Sequence, residues 1–186
     1  VRRLFIGCAL PESVRTGLTE FQDRLRADCT RQGVRFVVPA KFHVTLAFLG
    51  SVDDVSVIDP SARAICEDHA PFRLTTGELG GFPDLTRPRV LWAGIGGEVD
   101  SLRDLRSDIV AALPPGLVEE TEFQPHITLA RISPGSKIVG RAAAKLAESV
   151  AGVELGDWTV EEVTLFETLP DNSYAQVSSW PLTAKR

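Results

Sequence analysis

HVTLAFLG, residues 43–50, decides how this chain is read, because its first, third, fourth and fifth residues return in HITLAR at 126–131. The chain has only three histidines, and two of them open these segments. One such segment alone would be an ordinary strand, since Thr and β-branched residues suit a pleated surface. Two of them point to a shared task. Side chains at i and i+2 of a strand project from one face, about 6.5 Å apart. His43 and Thr45 therefore point one way, with Val44 and Leu46 behind them. His126 and Thr128 do the same, with Ile127 and Leu129 behind.

Around these strands the pattern runs twice. Leu4 to Leu10 is an apolar run bounded by Pro11, expected as a buried strand. A helix follows to about Arg31, with Val14, Leu18, Phe21 and Leu25 on one face. Arg35 to Val38 is a short strand, and His43 to Leu49 the next. A second helix runs from the Asp53-Asp54 pair to about His69, and Phe72 to Leu79 is a strand. GGFPDLTR, residues 80–87, is rich in turn residues. The order then restarts: a strand at Val90 to Ile95, a helix from Glu98 to Leu113 with Leu102, Leu105, Ile109 and Leu113 in one stripe, and the strand His126 to Ile132. A helix from Lys137 to Val150 follows. Trp158 to Leu169 and Tyr174 to Leu182 close the chain as two strands, paired around Asp171-Asn172. The whole chain, 1–186, reads as one bilobal domain with pseudo-symmetric halves at roughly 1–80 and 88–186. Packed about a pseudo-twofold axis, the halves would bring both polar strand faces into one cleft.

The 186 residues suffice for one such domain. A net charge of -5 lacks the basic footprint of a protein that tracks a long duplex. It leaves room for a small site gripping one phosphate. Cys8, Cys29 and Cys66 form no CxxC pair and read as small buried hydrophobes. The apolar run at the start is too short for a membrane span. It reads as a strand, and the protein as cytoplasmic, with no membrane partner and monomeric.

Two opposed imidazoles suit a displacement in which one proton is taken and another delivered. The hydroxyls of Thr45 and Thr128, with the guanidinium of Arg131, suit non-bridging phosphate oxygens. Strict alternation places Arg131 on the face opposite His126, so its part requires a strand end or a bulge. A metal is not expected, because zinc wants three protein ligands and no third His or carboxylate keeps the spacing. No cofactor is expected either. His69, beside Glu67 and Asp68, reads as a surface residue. Phe5, Phe48 and Phe82 are aromatics on which a base could stack, but each reads as core.

At RLFIGCALP, KFHVTLAFLG, GGFPDLTRPRVLWAGI, FQPHITLAR and VEEVTLFET the chain resembles the RNA 2′,3′-cyclic phosphodiesterases, also called 2′-5′ RNA ligases, of the two-histidine (2H) phosphoesterase superfamily. The resemblance implies an α+β fold, bilobal and duplicated, with largely antiparallel sheets lining a central cleft and helices outside. It implies a substrate bearing a 2′,3′-cyclic phosphate, either an RNA end or a cyclic nucleotide, opened to a 2′-phosphomonoester. It implies His43 as proton donor to the leaving O3′ and His126 as proton acceptor from water. Thr45, Thr128 and Arg131 would hold the phosphate. It also implies a capacity for 2′-5′ RNA joining. Many relatives carry Asp where Ala9 stands here. The rival reading is a catalytically silent nucleotide- or RNA-binding module on the same fold.

Overall fold

The computed structural model describes residues 2–28, 33–118, 122–133 and 137–184, the side chains of 28 and 137–139 excepted. In chain order the elements are β1 (Arg2–Ala9), α1 (Glu12–Asp28), β2 (Val34–Phe36), β3 (His43–Val52), α2 (Asp59–Asp68), β4 (Phe72–Phe82), β5 (Val90–Gly97), α3 (Val99–Ala112), β6 (His126–Ile132), α4 (Lys137–Ser149), β7 (Glu154–Val160), β8 (Glu162–Thr168) and β9 (Tyr174–Pro181). The stripes anticipated on α1 and α3 are its buried faces: Val14, Leu18, Phe21 and Leu25 on one, Leu102, Leu105 and Ile109 on the other. Each such side chain contributes about 1.5–3 kcal/mol on burial. Cys8 and Cys66 are buried and free, and burial pushes both thiols up to about 12. Cys29 and the expected last turn of the first helix, to Arg31, lie outside the described residues. No described helix is long and apolar enough to cross a membrane.

Three elements differ from the sequence reading. The second helix starts at Asp59 rather than at Asp53-Asp54. Pro60 has no N–H and fits only a first helical turn, so the residues before it form a separate 3-10 turn, Val55–Val57, capped by Asp54. Gly80 to Phe82, expected as loop, continue β4. Gly80 lies beneath the Trp92 ring, where a Cβ would come within 2.1 Å of it. The strand expected over Trp158 to Leu169 is two strands. Glu161 and Glu162 are exposed in succession, which breaks the period of two, and the chain changes sheets there.

One sheet has the order β3-β1-β8-β9 and the other β2-β6-β5-β4-β7. Every pairing is antiparallel. The strands β3-β1-β8 match β6-β5-β4 position for position, as a duplication requires, and a strand from the second stretch edges each sheet, β9 on one and β7 on the other. Each sheet draws strands from both stretches, 1–80 and 88–186. β4 crosses to pair with β5, and β8 crosses back to pair with β1. The helices cross as well: α2 packs on β9 and α3 on β3, while α1 packs on β7 and α4 on β4. The two histidine strands, β3 and β6, adjoin.

Candidate active site

The duplication extends to single residues. On one side Ala9 faces His43, Gly7 faces Thr45 and Phe5 faces Phe48. On the other Gly94 faces His126, Trp92 faces Thr128 and Val90 faces Arg131. Both histidine strands contain an extra residue at the same place, Leu46 or Leu129, that the neighbouring strand does not match. These are β-bulges, and each resets the alternation by one residue. Leu46 and Ala47 are buried in succession, and so are Leu129 and Ala130. The bulge in β6 thereby turns Arg131 onto the face of His126 and Thr128. The bulge in β3 turns Phe48 onto the face of His43 and Thr45.

Both bulges are held from behind. The amide of Gln22, 1% exposed on α1, donates to the carbonyl of Leu129 at 2.9 Å and to that of Val37 at 2.8 Å. Arg106 on α3 donates through Nε to the carbonyl of Leu46 at 3.0 Å, its guanidinium lying over the Phe123 ring. Neither residue stands out in the sequence, because the bond joins elements far apart in the chain.

The imidazoles are fixed alike. His43 Nδ1 donates to the carbonyl of Lys41 and His126 Nδ1 to that of Gln124, both at 2.7 Å. A carbonyl only accepts, so Nδ1 carries the proton in each ring and Nε2 is the nitrogen outside that bond. His43 Nε2 lies 2.9 Å from the Thr45 hydroxyl, which donates to it when the ring is neutral. Burial is the first cause that pulls both pKa values below the ordinary 6.5, against the opposing backbone bonds. The positive charge of Arg131 lowers both further, and that of His126 lowers His43. The two imidazoles and Arg131 thus share one electrostatic environment.

Aromatic rings surround the pair unequally. Phe5 is buried beneath His43, with ring centroids 4.8 Å apart, and it also packs against Phe166, Tyr174 and Phe48. Phe82 stands edge-on to His126 at 5.0 Å, with Trp92 at 6.1 Å. Phe48 corrects the sequence reading: it is 64% exposed, not core. Trp92, Phe166 and Tyr174 were not singled out from the sequence, since only strand pairing brings them to the site. Ala9 lies opposite His43 and is exposed. His69 is elsewhere, with Nε2 2.9 Å from Asp108. Among the described residues no three His, Cys, Asp or Glu side chains gather as a metal cluster. A cavity of about 500 Å³ beside α1, lined by Glu12, Arg15, Thr19 and Pro39 among others, contains neither histidine.

The sequence profile of the 2′-5′ RNA ligase superfamily matches residues 10–172. An RNA 2′,3′-cyclic phosphodiesterase of Aeropyrum pernix is 34% identical over 150 residues, 78% of this chain and 84% of that protein. One of Aquifex aeolicus is 27% identical over 174 residues, 90% of this chain and 89% of that protein. The crystal structure of TT0787 of Thermus thermophilus superposes with a TM-score of 0.76 at 29% identity, covering 99% of this chain and 100% of that one. E. coli LigT complexed with NADP+ superposes with a TM-score of 0.72 at 25% identity, covering 98% of each chain. With paired histidine strands, a duplicated fold and a profile match over most of its length, this chain belongs to the 2′-5′ RNA ligase superfamily.

Proposed function

We propose that this protein is an RNA 2′,3′-cyclic phosphodiesterase, opening the cyclic phosphate at an RNA 3′ end, or on a nucleotide, to a 2′-phosphomonoester. The observation that carries this reading is the pair of imidazoles on adjoining strands, each with Nδ1 pinned to a backbone carbonyl, so that proton exchange falls to Nε2, which in His43 also meets the Thr45 hydroxyl. Thr45, Thr128 and Arg131 share their faces and supply donors for the phosphate oxygens. His126, its pKa lowered by burial, is neutral and takes a proton from water. The water oxygen forms a bond to phosphorus, and the P–O3′ bond breaks. His43 delivers a proton to O3′. The incoming phosphate anion favours the charged form of His43, against the burial that disfavours it.

The donors in this cleft, two imidazoles with hydroxyls and one guanidinium, suit proton transfer and anion binding better than zinc coordination. The relatives named RNA 2′,3′-cyclic phosphodiesterase support the substrate. The reading includes a cytoplasmic, monomeric enzyme. The test is turnover of 2′,3′-cyclic AMP and of a cyclic-phosphate RNA end in the presence of EDTA. Hydrolysis to the 2′-phosphate is expected. Binding without turnover would mark a silent module, and turnover abolished by EDTA would overturn the metal-free mechanism.

A further inference from the structure

Each histidine strand carries a bulge, and the residue that holds each bulge also grips the chain leading into the other histidine. Gln22 donates to the carbonyl of Leu129 in β6 and to that of Val37. Val37 stands shortly before the 3-10 turn Pro39–Lys41, and the Lys41 carbonyl holds His43 Nδ1. Arg106 runs the opposite way. Its Nε donates to the carbonyl of Leu46 in β3, and its guanidinium lies 4.7 Å from the centre of the Phe123 ring. Phe123 directly precedes Gln124, whose carbonyl holds His126 Nδ1. We infer that Arg106 is a positioning residue for both imidazoles, a brace that sets the place of one against the other, with Gln22 as its counterpart in the other half. The kinetic consequences of this inference rest on the phosphodiesterase reading.

Three observations carry it. Gln22 follows Phe21 and Arg106 follows Leu105 in corresponding buried stripes, Leu18, Phe21 and Leu25 on α1 and Leu102, Leu105 and Ile109 on α3. The two residues therefore occupy one position of the duplication. The donor is also the same atom. Nε of arginine and Nε2 of glutamine both stand one bond beyond Cδ, and each meets the carbonyl of a bulged leucine, at 3.0 Å and 2.9 Å. Finally, a neutral amide suffices for that bond, as Gln22 shows, yet α3 carries a cation there although burial pulls its pKa down. What a guanidinium adds over an amide is a planar cation for the face of the Phe123 ring.

The two rings hang on different strands, and each Nε2 must come within hydrogen-bond reach of its own oxygen. A misplacement of about 1 Å costs about 100-fold in rate. Each brace spans that gap, from the bulge of one strand to the approach of the other. Loss of Arg106 is therefore read in kcat. Thr128 and Arg131 lie on β6, whose bulge keeps its Gln22 bond, so KM changes little.

The test compares Arg106→Leu, which loses both contacts, with Arg106→Gln, which keeps a donor at the same atom and loses only the guanidinium over Phe123. On adenosine 2′,3′-cyclic phosphate, Arg106→Leu is expected to lower kcat at least about tenfold, and Arg106→Gln to stay within about threefold of the wild type. An unchanged kcat in a folded Arg106→Leu protein, a loss confined to KM, or equal losses in the two variants would overturn the brace. The imidazole protons give a second readout that needs no turnover. Held to carbonyls at 2.7 Å, the Nδ1 protons of His43 and His126 are expected as slowly exchanging nuclear magnetic resonance signals. Arg106→Leu shifts both, and Arg106→Gln shifts that of His126 alone, since only the contact with Phe123 is gone. Signals unmoved in both variants, or a His43 signal that moves by itself in Arg106→Leu, overturn the inference. If Arg106→Leu does not fold, the His126 signal of Arg106→Gln decides. If the wild-type protein opens no cyclic phosphate, the phosphodiesterase reading has failed instead, and these signals alone judge the brace.

Discussion

Replacing Gln22 with Leu removes the amide bond to Leu129 that holds the β6 bulge, the one to Val37 and the one accepted from Arg26, while keeping an apolar stem in a site that is 1% exposed. The carbonyl of Leu129 retains the Val37 N–H at 2.9 Å, so it is not stripped of partners. The carbonyl of Val37 loses the Gln22 amide. One buried acceptor left short of a donor costs about 1–3 kcal/mol. A loss of about 2 kcal/mol in a chain of this size lowers the melting temperature by about 4–8 °C. The second effect is on the site. Without the amide, β6 is free to regain regular alternation, which would turn Arg131 away from His126. Losing a charged hydrogen bond to phosphate removes about 1.5–3 kcal/mol of binding, so KM for a cyclic nucleotide should rise at least about tenfold. Thermal denaturation and steady-state kinetics on one preparation, at a temperature where the variant is fully folded, separate the two effects. A Gln22→Leu protein that melts as the wild type does, with an unchanged KM, would refute the idea that Gln22 holds the bulge.

His43→Ala and His126→Ala should each slow hydrolysis of a cyclic nucleotide by at least about 100-fold, and near-wild-type rates in either would remove that residue from the proton transfers. Thr45→Ala and Thr128→Ala should each lose about 1–3 kcal/mol of transition-state binding, read as a fall in kcat/KM that is smaller than for the histidines. Burial holds both imidazoles below the ordinary 6.5 in the free protein, so the alkaline decline of kcat/KM, where the acid loses its proton, should set in below that pH. Arg131→Met removes a positive charge that lowers both pKa values, so the alkaline limb should move to higher pH. A flat profile, or a limb that moves the other way, would count against an imidazole pair beside Arg131.

Much of this site was legible in the sequence because its signals are local. Two His-x-Thr-Leu-Ala segments, alternation within each strand, and the stripes at Val14–Leu25 and Leu102–Ile109 need only a few neighbouring residues to be read. The bulges are half visible: Leu46-Ala47 and Leu129-Ala130 are consecutive apolar residues where alternation asks for one. That is why the place of Arg131 was open in the sequence and follows only from the register. Glu161-Glu162 likewise marks a strand break once the sheets are known. Trp92, Tyr174, Gln22 and Arg106 carried no local signal. Their neighbours at the site come from strand pairings and helix crossings tens of residues away, and no window of sequence contains both partners.

The exchange of β4 and β8 between the sheets has a consequence for how such a site acquires polarity. Two separate copies of a half-length chain, trading strands about a twofold axis, would build two equivalent sheets like β3-β1-β8 and β6-β5-β4. Every cleft side chain would then occur twice, and a substrate could enter in either direction with equal result. Carrying both copies on one polypeptide lifts that constraint, since each position can change without its mate. The chain keeps His and Thr in both places. It holds Arg131 against Phe48 and Trp92 against Gly7, where head and tail must differ.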